Sequence, residues 1–201
     1  MKDVIYHYDK LIEEDNDPVH DPEPLKVYMD KWDGEGFIDS MGLDKSKSVL
    51  EIGVGTGRLA LKTAPLCKRL VGIDISPKTV LRASENLLPY SNIELICGDF
   101  MSYMFKERFD VIYSSLTFMH ICEKAAAIRK VAALLSDGGR FVLSVDKNKS
   151  DIIDMGTRQL RIYPDDPESM VRFNSEAGLE IADRFETEHA FIMITKKISL
   201  E

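Results

Sequence analysis

The sequence predicts an α/β fold: a three-layer sandwich built on a seven-stranded, mostly parallel sheet, with helices on both faces. Three observations predict it. Short, β-branched apolar runs alternate with helix-like stretches from residue 48 onward, which is the rhythm of parallel strands joined by crossovers. A glycine-rich turn follows the first of these runs. The last two strand-like runs are too close for a crossover helix, so they pair antiparallel as a C-terminal hairpin.

The elements follow in order. "SVLEIGV" (48–54) reads as a buried strand, with a helix through "GRLALKTAPL"; "RLVGIDIS" (69–76) is the second strand. Ser76 and Pro77 form a helix start, the hydroxyl as cap and the missing N–H harmless at the first position. "IELICGD" (93–99) and "FDVIYSS" (109–115) are the third and fourth strands. "EKAAAIRKVAALL" (123–135) carries an apolar stripe and is expected to end at Gly138–Gly139, before the fifth strand at 140–145. A helix opening on Pro167 runs to 176, followed by the hairpin strands "LEIADRFETEH" and "AFIMITKKIS".

Residues 1–45 differ in character, being aromatic, acidic and dotted with proline. Helices near 3–14 and 23–40 are expected there, as a helical cap or lid over a core of residues 46–201. The stretch 146–166, after the fifth strand, is longer than a usual connection and reads as a lid-like insertion. No repeat or low-complexity segment interrupts the chain, and one domain is expected overall.

Composition narrows the function. The 201 residues are 44 % hydrophobic and 30 % charged, with a formal net charge of −8, ordinary for a globular protein and unfavourable for a polyanionic partner. No nucleic acid is therefore expected as partner. Three cysteines (Cys67, Cys97, Cys122) without metal-type spacing point to a reducing compartment. The start, "MKDVIYHYDK", has no apolar h-region, and no run approaches the roughly 20 residues of a membrane span. A cytoplasmic protein without a membrane partner is the expectation.

"VLEIGVGTGRLA" (49–60) places Gly53, Gly55 and Gly57 at a strand-to-helix turn, where bare backbone lets a ligand approach. Taken from Gly55, "GTGRLA" also satisfies the dinucleotide pattern, with Asp74 19 residues later, so an NAD(P)-binding oxidoreductase is an alternative. Three features weigh against it: Glu51 inside the strand, where a carboxylate suits a cationic ligand; a further acid, Asp99, closing the third strand beside Phe100; and the terminal hairpin.

Together these residues resemble the class I S-adenosylmethionine-dependent methyltransferases, Rossmann-like enzymes, over residues 48–197. "LEIGVGTG", "GIDIS", "CGDF", "FDVIYSSLTFMHI" and "LLSDGGRFVLSV" are similar to the family's five motifs, in order. The resemblance implies S-adenosylmethionine as cofactor. It implies that Asp74 takes the ribose hydroxyls, Ile75 lines the adenine, and Asp99 bonds the adenine amino group beside Phe100 and Gly98. Gly53, Gly55 and Gly57 would face the methionine part, with Ser114 and Ser115 near its ammonium, and Glu51 and Arg58 are further cofactor-binding candidates. A non-catalytic S-adenosylmethionine-binding protein is the other alternative.

The sulfonium already activates its methyl group, so the protein must chiefly align an acceptor, by direct in-line displacement. A general base is required only where the acceptor is protonated at neutral pH. His120, after the fourth strand, is the candidate base, its ordinary pKa near 6.5 suiting proton removal at pH 7. His20 lacks a second histidine at ligand spacing, so no metal is expected, and His189 is expected to face solvent in the hairpin turn. Tyr6, Tyr8, Tyr28 and Trp32 are candidates to line a lid over a small-molecule acceptor, or to pack in a core; Arg158, Arg161 and Tyr163 either meet an anionic acceptor or face solvent.

Overall fold

The computed structural model describes residues 2–34 and 36–198. The chain opens with α1 (Lys2–Glu13), α2 (Glu23–Asp33) and α3 (Gly36–Met41). The expected helix at 23–40 is thus two helices, broken at Gly34, whose φ of 72° no α-helix accommodates. β1 (Ser48–Ile52) leads through the glycine turn to α4 (Ala60–Thr63), and a 3₁₀ turn at Ala64–Leu66 follows. That helix is shorter than expected because Pro65 cannot continue the α ladder. β2 (Arg69–Asp74), α5 (Pro77–Asn86), β3 (Ile93–Cys97) and β4 (Phe109–Ser114) come next. Ser76 caps α5, accepting from the Thr79 amide.

α6 (Lys124–Leu134) passes directly into β5 (Leu135–Asp146), so Gly138 and Gly139 lie within the strand instead of ending the helix. β5 shifts register against β4 between Phe109 and Val111, and Gly138 takes a φ of 72° there, as a bulge requires. The 146–166 stretch folds into a small antiparallel hairpin, β6 (Ile152–Asp154) and β7 (Gln159–Arg161). α7 (Pro167–Glu176), β8 (Leu179–Glu186) and β9 (Ala190–Lys197) complete the order.

The main sheet has seven strands in the order β3-β2-β1-β4-β5-β9-β8. All neighbours from β3 to β5 are parallel; β9 runs antiparallel to both β5 and β8. Each face is sealed separately. α6 and α7 bury Ala127, Ile128, Val131 and Met170 against Leu50, Ile112 and Phe141 on one side. On the other, Phe37, Met41, Ala60, Ala83 and Leu87 from α3, α4, α5 and its C-terminal end pack on Val49, Leu70, Tyr113 and Val142. α3 therefore belongs to the core layer. Strand order reverses between β1 and β4, and at such a switch point the strand ends splay to leave a crevice at their carboxyl edge.

Candidate functional site

The crevice is built from the ends of β1, β2 and β4 and roofed by α1. Two cavities occupy it, of about 440 and 480 Å³. Both are lined by Val4, Gly53, Asp74, Ile75, Thr117 and His120, so they are two compartments of one cleft. The first extends over Gly98, Asp99, Phe100, Met101 and Ile121 toward Arg161 and Tyr163. The second extends over Glu51, Arg58 and Ser115 beneath Tyr8, Leu11, Leu25 and Tyr28.

The glycine turn is fixed by backbone geometry. The amides of Gly53 and Val54 both donate to the Ile73 carbonyl, at 2.8 and 3.1 Å. Gly55 has a φ of 57°, and a Cβ built on it would meet nothing within 4 Å beyond its chain neighbours, so bare backbone here faces open space. Gly53 and Gly57 are glycine for other reasons: a Cβ at Gly53 would fall 1.8 Å from the Thr117 hydroxyl, and one at Gly57 would press on Leu87 at 3.0 Å. Gly57 thus packs against Leu87 at the end of α5.

Asp74 organises the second strand end. Its carboxylate accepts from the amides of Gly55 and Ser76, each at 3.0 Å, while burial under α1 pushes its pKa up. Glu51 is wholly buried and accepts from the Tyr113 hydroxyl at 2.7 Å; Tyr113 also pairs with Thr63 at 2.8 Å. Burial lifts the Glu51 pKa to about 8, the Tyr113 bond and Arg58 opposing it. The Asp99 carboxylate accepts from the Met101 amide at 3.0 Å, an Asx turn at the floor of the first cavity.

Three expected ligand groups are already engaged within the protein. Ser114 is buried and donates to the Ile52 carbonyl at 2.8 Å, tying β4 to β1. Ser115 and Arg58 both donate to the Asp33 carboxylate, and Arg58 reaches Asp30 at 3.4 Å. Of these, Arg58 and Ser115 still line the second cavity; Ser114 does not, because its strand position turns it into the sheet interior.

His120 sits on a 3₁₀ turn (Phe118–His120) after β4. Leu116 just before it holds a φ of 54°, rarely adopted by leucine, so surrounding contacts must fix the turn. The Lys124 ammonium supplies one, donating to the Phe118 carbonyl at 2.7 Å while pairing with buried Asp165 at 2.7 Å. His120 Nε2 lies 2.7 Å from the Tyr8 hydroxyl, and Nδ1 is buried without a partner among the described residues. Burial lowers its pKa to about 4, with His7 and Lys124 adding in the same direction. The ordinary value near 6.5 expected from sequence does not hold: desolvation keeps this imidazole neutral.

α1 is clasped on both flanks by polar contacts. Asp9 accepts from the Ser76 hydroxyl at 2.7 Å and the Lys78 amide at 3.2 Å, at the start of α5. Arg158 of the small hairpin grips Glu14 at 2.6 and 2.8 Å, so it is not free to meet an anionic acceptor. The Tyr8–His120 pair and these clasps join residues more than 60 positions apart, and no spacing rule signals them. His189, expected in solvent, packs at a tilt against Trp32, with ring centroids 4.6 Å apart and planes at 53°. Among the described residues no group of His, Cys, Asp or Glu is arranged to hold a metal ion, and no helix is long and apolar enough to cross a membrane.

A parallel sheet with a reversed β9, a glycine turn and an acid closing β2 defines a class I S-adenosylmethionine-dependent methyltransferase fold. Residues 49–139 match the family model described as a methyltransferase domain. The chain is 36 % identical over 121 residues to an uncharacterized methyltransferase of Anoxybacillus flavithermus, covering 58 % of this chain and 56 % of the relative. Nodulation protein S of Sinorhizobium fredii is 28 % identical over 135 residues, covering 63 % of this chain and 62 % of the relative. In both cases the chain spans less than two thirds of the relative's length. The N-methyltransferase NodS of Bradyrhizobium japonicum shares the fold, with a TM-score of 0.66 at 22 % identity over 81 % of this chain and 91 % of that one.

Proposed function

We propose that this protein transfers the methyl group of S-adenosylmethionine to a small-molecule acceptor by direct in-line displacement. The observation that carries the reading is the Gly55–Asp74 pairing beside open space, which offers a carboxylate and a bare turn side by side at the switch point. The fit of the cofactor rests on donor chemistry. Asp74 would hold the ribose hydroxyls, with Ile75, Gly98, Asp99 and Phe100 forming the adenine compartment, all of them lining the first cavity. Glu51, Arg58, Gly53 and Ser115 line the second cavity and would take the charged methionine end. Burial favours the protonated form of Glu51, and an ammonium beside it would favour its ionised form.

The cofactor supplies an activated methyl group, so the chain's own task is to orient, to exclude water and to handle one proton. α1 with its clasps acts as a cap, and the 146–166 hairpin closes the other side. Acid outweighs base around the cleft: Asp21, Asp74 and Asp99 line it, against Arg161 and an Arg58 tied to Asp33. That supports an uncharged acceptor over a polyanion and disfavours nucleic acid. The three free cysteines support a cytoplasmic, reducing location.

A methyl-labelled donor incubated with panels of small hydroxyl and amine compounds, transfer RNA and bulk protein tests the reading. Label is expected in small molecules alone. Label confined to macromolecules would overturn the acceptor class, and binding without transfer to any of them would favour a non-catalytic binder.

A further inference from the structure

We propose that the Tyr8 hydroxyl is the group that meets the acceptor, that His120 takes up the proton Tyr8 passes on, and that the acceptor is an uncharged hydroxyl compound. The inference rests on the methyl-transfer reading and deepens it.

Val4, Tyr8 and Leu11 lie on one face of α1, four and three residues apart, and that face lines the second cavity. Tyr8 meets His120 edge-on, with ring centroids 5.4 Å apart and planes at 88°. His120 cannot reach an acceptor by itself. Its Nε2 is spent on Tyr8, and its Nδ1 is sealed from solvent with no partner among the described residues. The Tyr8 oxygen is different, because a phenol that donates one hydrogen bond keeps two lone pairs to accept others. Tyr8 lines the same cavity as Gly53 and Glu51, beside the compartment boundary at Thr117 and His120.

Both partners are neutral. Burial, with Asp74 adding to it, pushes the Tyr8 phenol up, while His120 is held at about 4. A neutral phenol facing a bare imidazole nitrogen donates to it, which leaves the His120 proton on Nδ1. The step then balances. The acceptor oxygen bonds the methyl carbon as the carbon–sulfur bond breaks and sulfur keeps the electron pair. The acceptor's proton moves to the Tyr8 oxygen, and the Tyr8 proton moves to Nε2. The positive charge lost at sulfur reappears on His120, so the cleft's net charge is unchanged and no phenolate forms beside Asp74. A neutral amine attacks through its free lone pair and can shed its proton afterwards, whereas a hydroxyl oxygen must lose its proton as the methyl arrives, which is why the geometry points to a hydroxyl.

Nitrogen NMR of the full chain, labelled at histidine and saturated with S-adenosylhomocysteine, tests the assignment before any acceptor is known. His120 is expected to keep one tautomer from pH 6 to 8, with Nδ1 protonated and Nε2 bare and hydrogen-bonded. In Tyr8→Phe the Nε2 signal should move to that of an unbonded nitrogen. On a hydroxyl acceptor from the panel, Tyr8→Phe should lower kcat roughly 100-fold, the low end of proton-transfer effects, with the cofactor KM changed far less. A proton on Nε2 overturns the relay, as does an unchanged kcat. If S-adenosylhomocysteine leaves every histidine signal in place because it does not bind, the cofactor reading itself fails, and that result is distinct from binding with the wrong tautomer.

Discussion

The Gly55 amide donates to the Asp74 carboxylate at 3.0 Å, joining the glycine turn after β1 to the end of β2. One carboxylate therefore both shapes the turn and remains at the cleft surface, since Asp74 lines both cavities.

Removing that carboxylate should act on ligand binding first. Asp74→Ala is expected to weaken S-adenosylhomocysteine at least tenfold, about 1.4 kcal/mol. Calorimetry measures this, and wild-type affinity in the variant would remove Asp74 from the site.

Gly55→Val tests the open side of the turn. Among the described residues no atom beyond its chain neighbours lies within 4 Å of its would-be Cβ, so the fold should survive, with only the cost of a positive φ, about 1–2 kcal/mol. A ligand lying on the turn would collide with the new side chain, and affinity should fall at least tenfold while the variant still unfolds cooperatively. Unchanged affinity would mean that nothing binds against this turn.

Glu51 gives a pH-dependent stability. Its pKa is about 8 in the folded protein, raised from 4.5, so the folded state holds a proton that the unfolded chain has released. The contribution is fully present below about pH 4.5 and is lost as pH rises through about 8. Glu51→Gln keeps an oxygen for the Tyr113 hydroxyl and cannot ionise. Its Tm should match the wild type near pH 5 and exceed it by about 10 °C at pH 9, on the order of 4 kcal/mol. Equal melting curves at both pH values would show that this carboxylate ionises normally.

Lys124 joins the turn carrying His120 to the segment before α7, through Phe118 and Asp165. Both charges are buried, at 10 % and 2 % side-chain exposure, so removing one strands the other. Lys124→Met is expected to destabilise the protein by about 3–5 kcal/mol in denaturant titration. A loss below 1 kcal/mol would show that Asp165 finds water or takes up a proton at little cost.

Much of this was legible in the sequence, and for physical reasons. The apolar period marks β1 to β4, Ser76–Pro77 marks the start of α5, and the closeness of β8 and β9 marks the antiparallel end, because each is a local constraint on backbone. Boundaries that depend on one backbone angle were not: the break at Gly34 and the absorption of Gly138 into β5 follow from positive φ values set by tertiary packing. Within the site, Asp74 and the turn are close in sequence terms to one strand–helix–strand unit. The Tyr8–His120 contact and the Ser115–Asp33–Arg58 cluster join side chains 112, 82 and 25 residues apart, and only the folded topology brings them together.

The central claim is that the crevice between β1, β2 and β4 is shaped for an S-adenosyl nucleoside. Calorimetric titration of the intact chain with S-adenosylhomocysteine, beside NAD⁺ under identical conditions, tests it most directly. The expected result is saturable, one-to-one binding of S-adenosylhomocysteine, lost in Asp74→Ala, with no heat from NAD⁺. Binding of NAD⁺ in preference, or of neither compound, would contradict it.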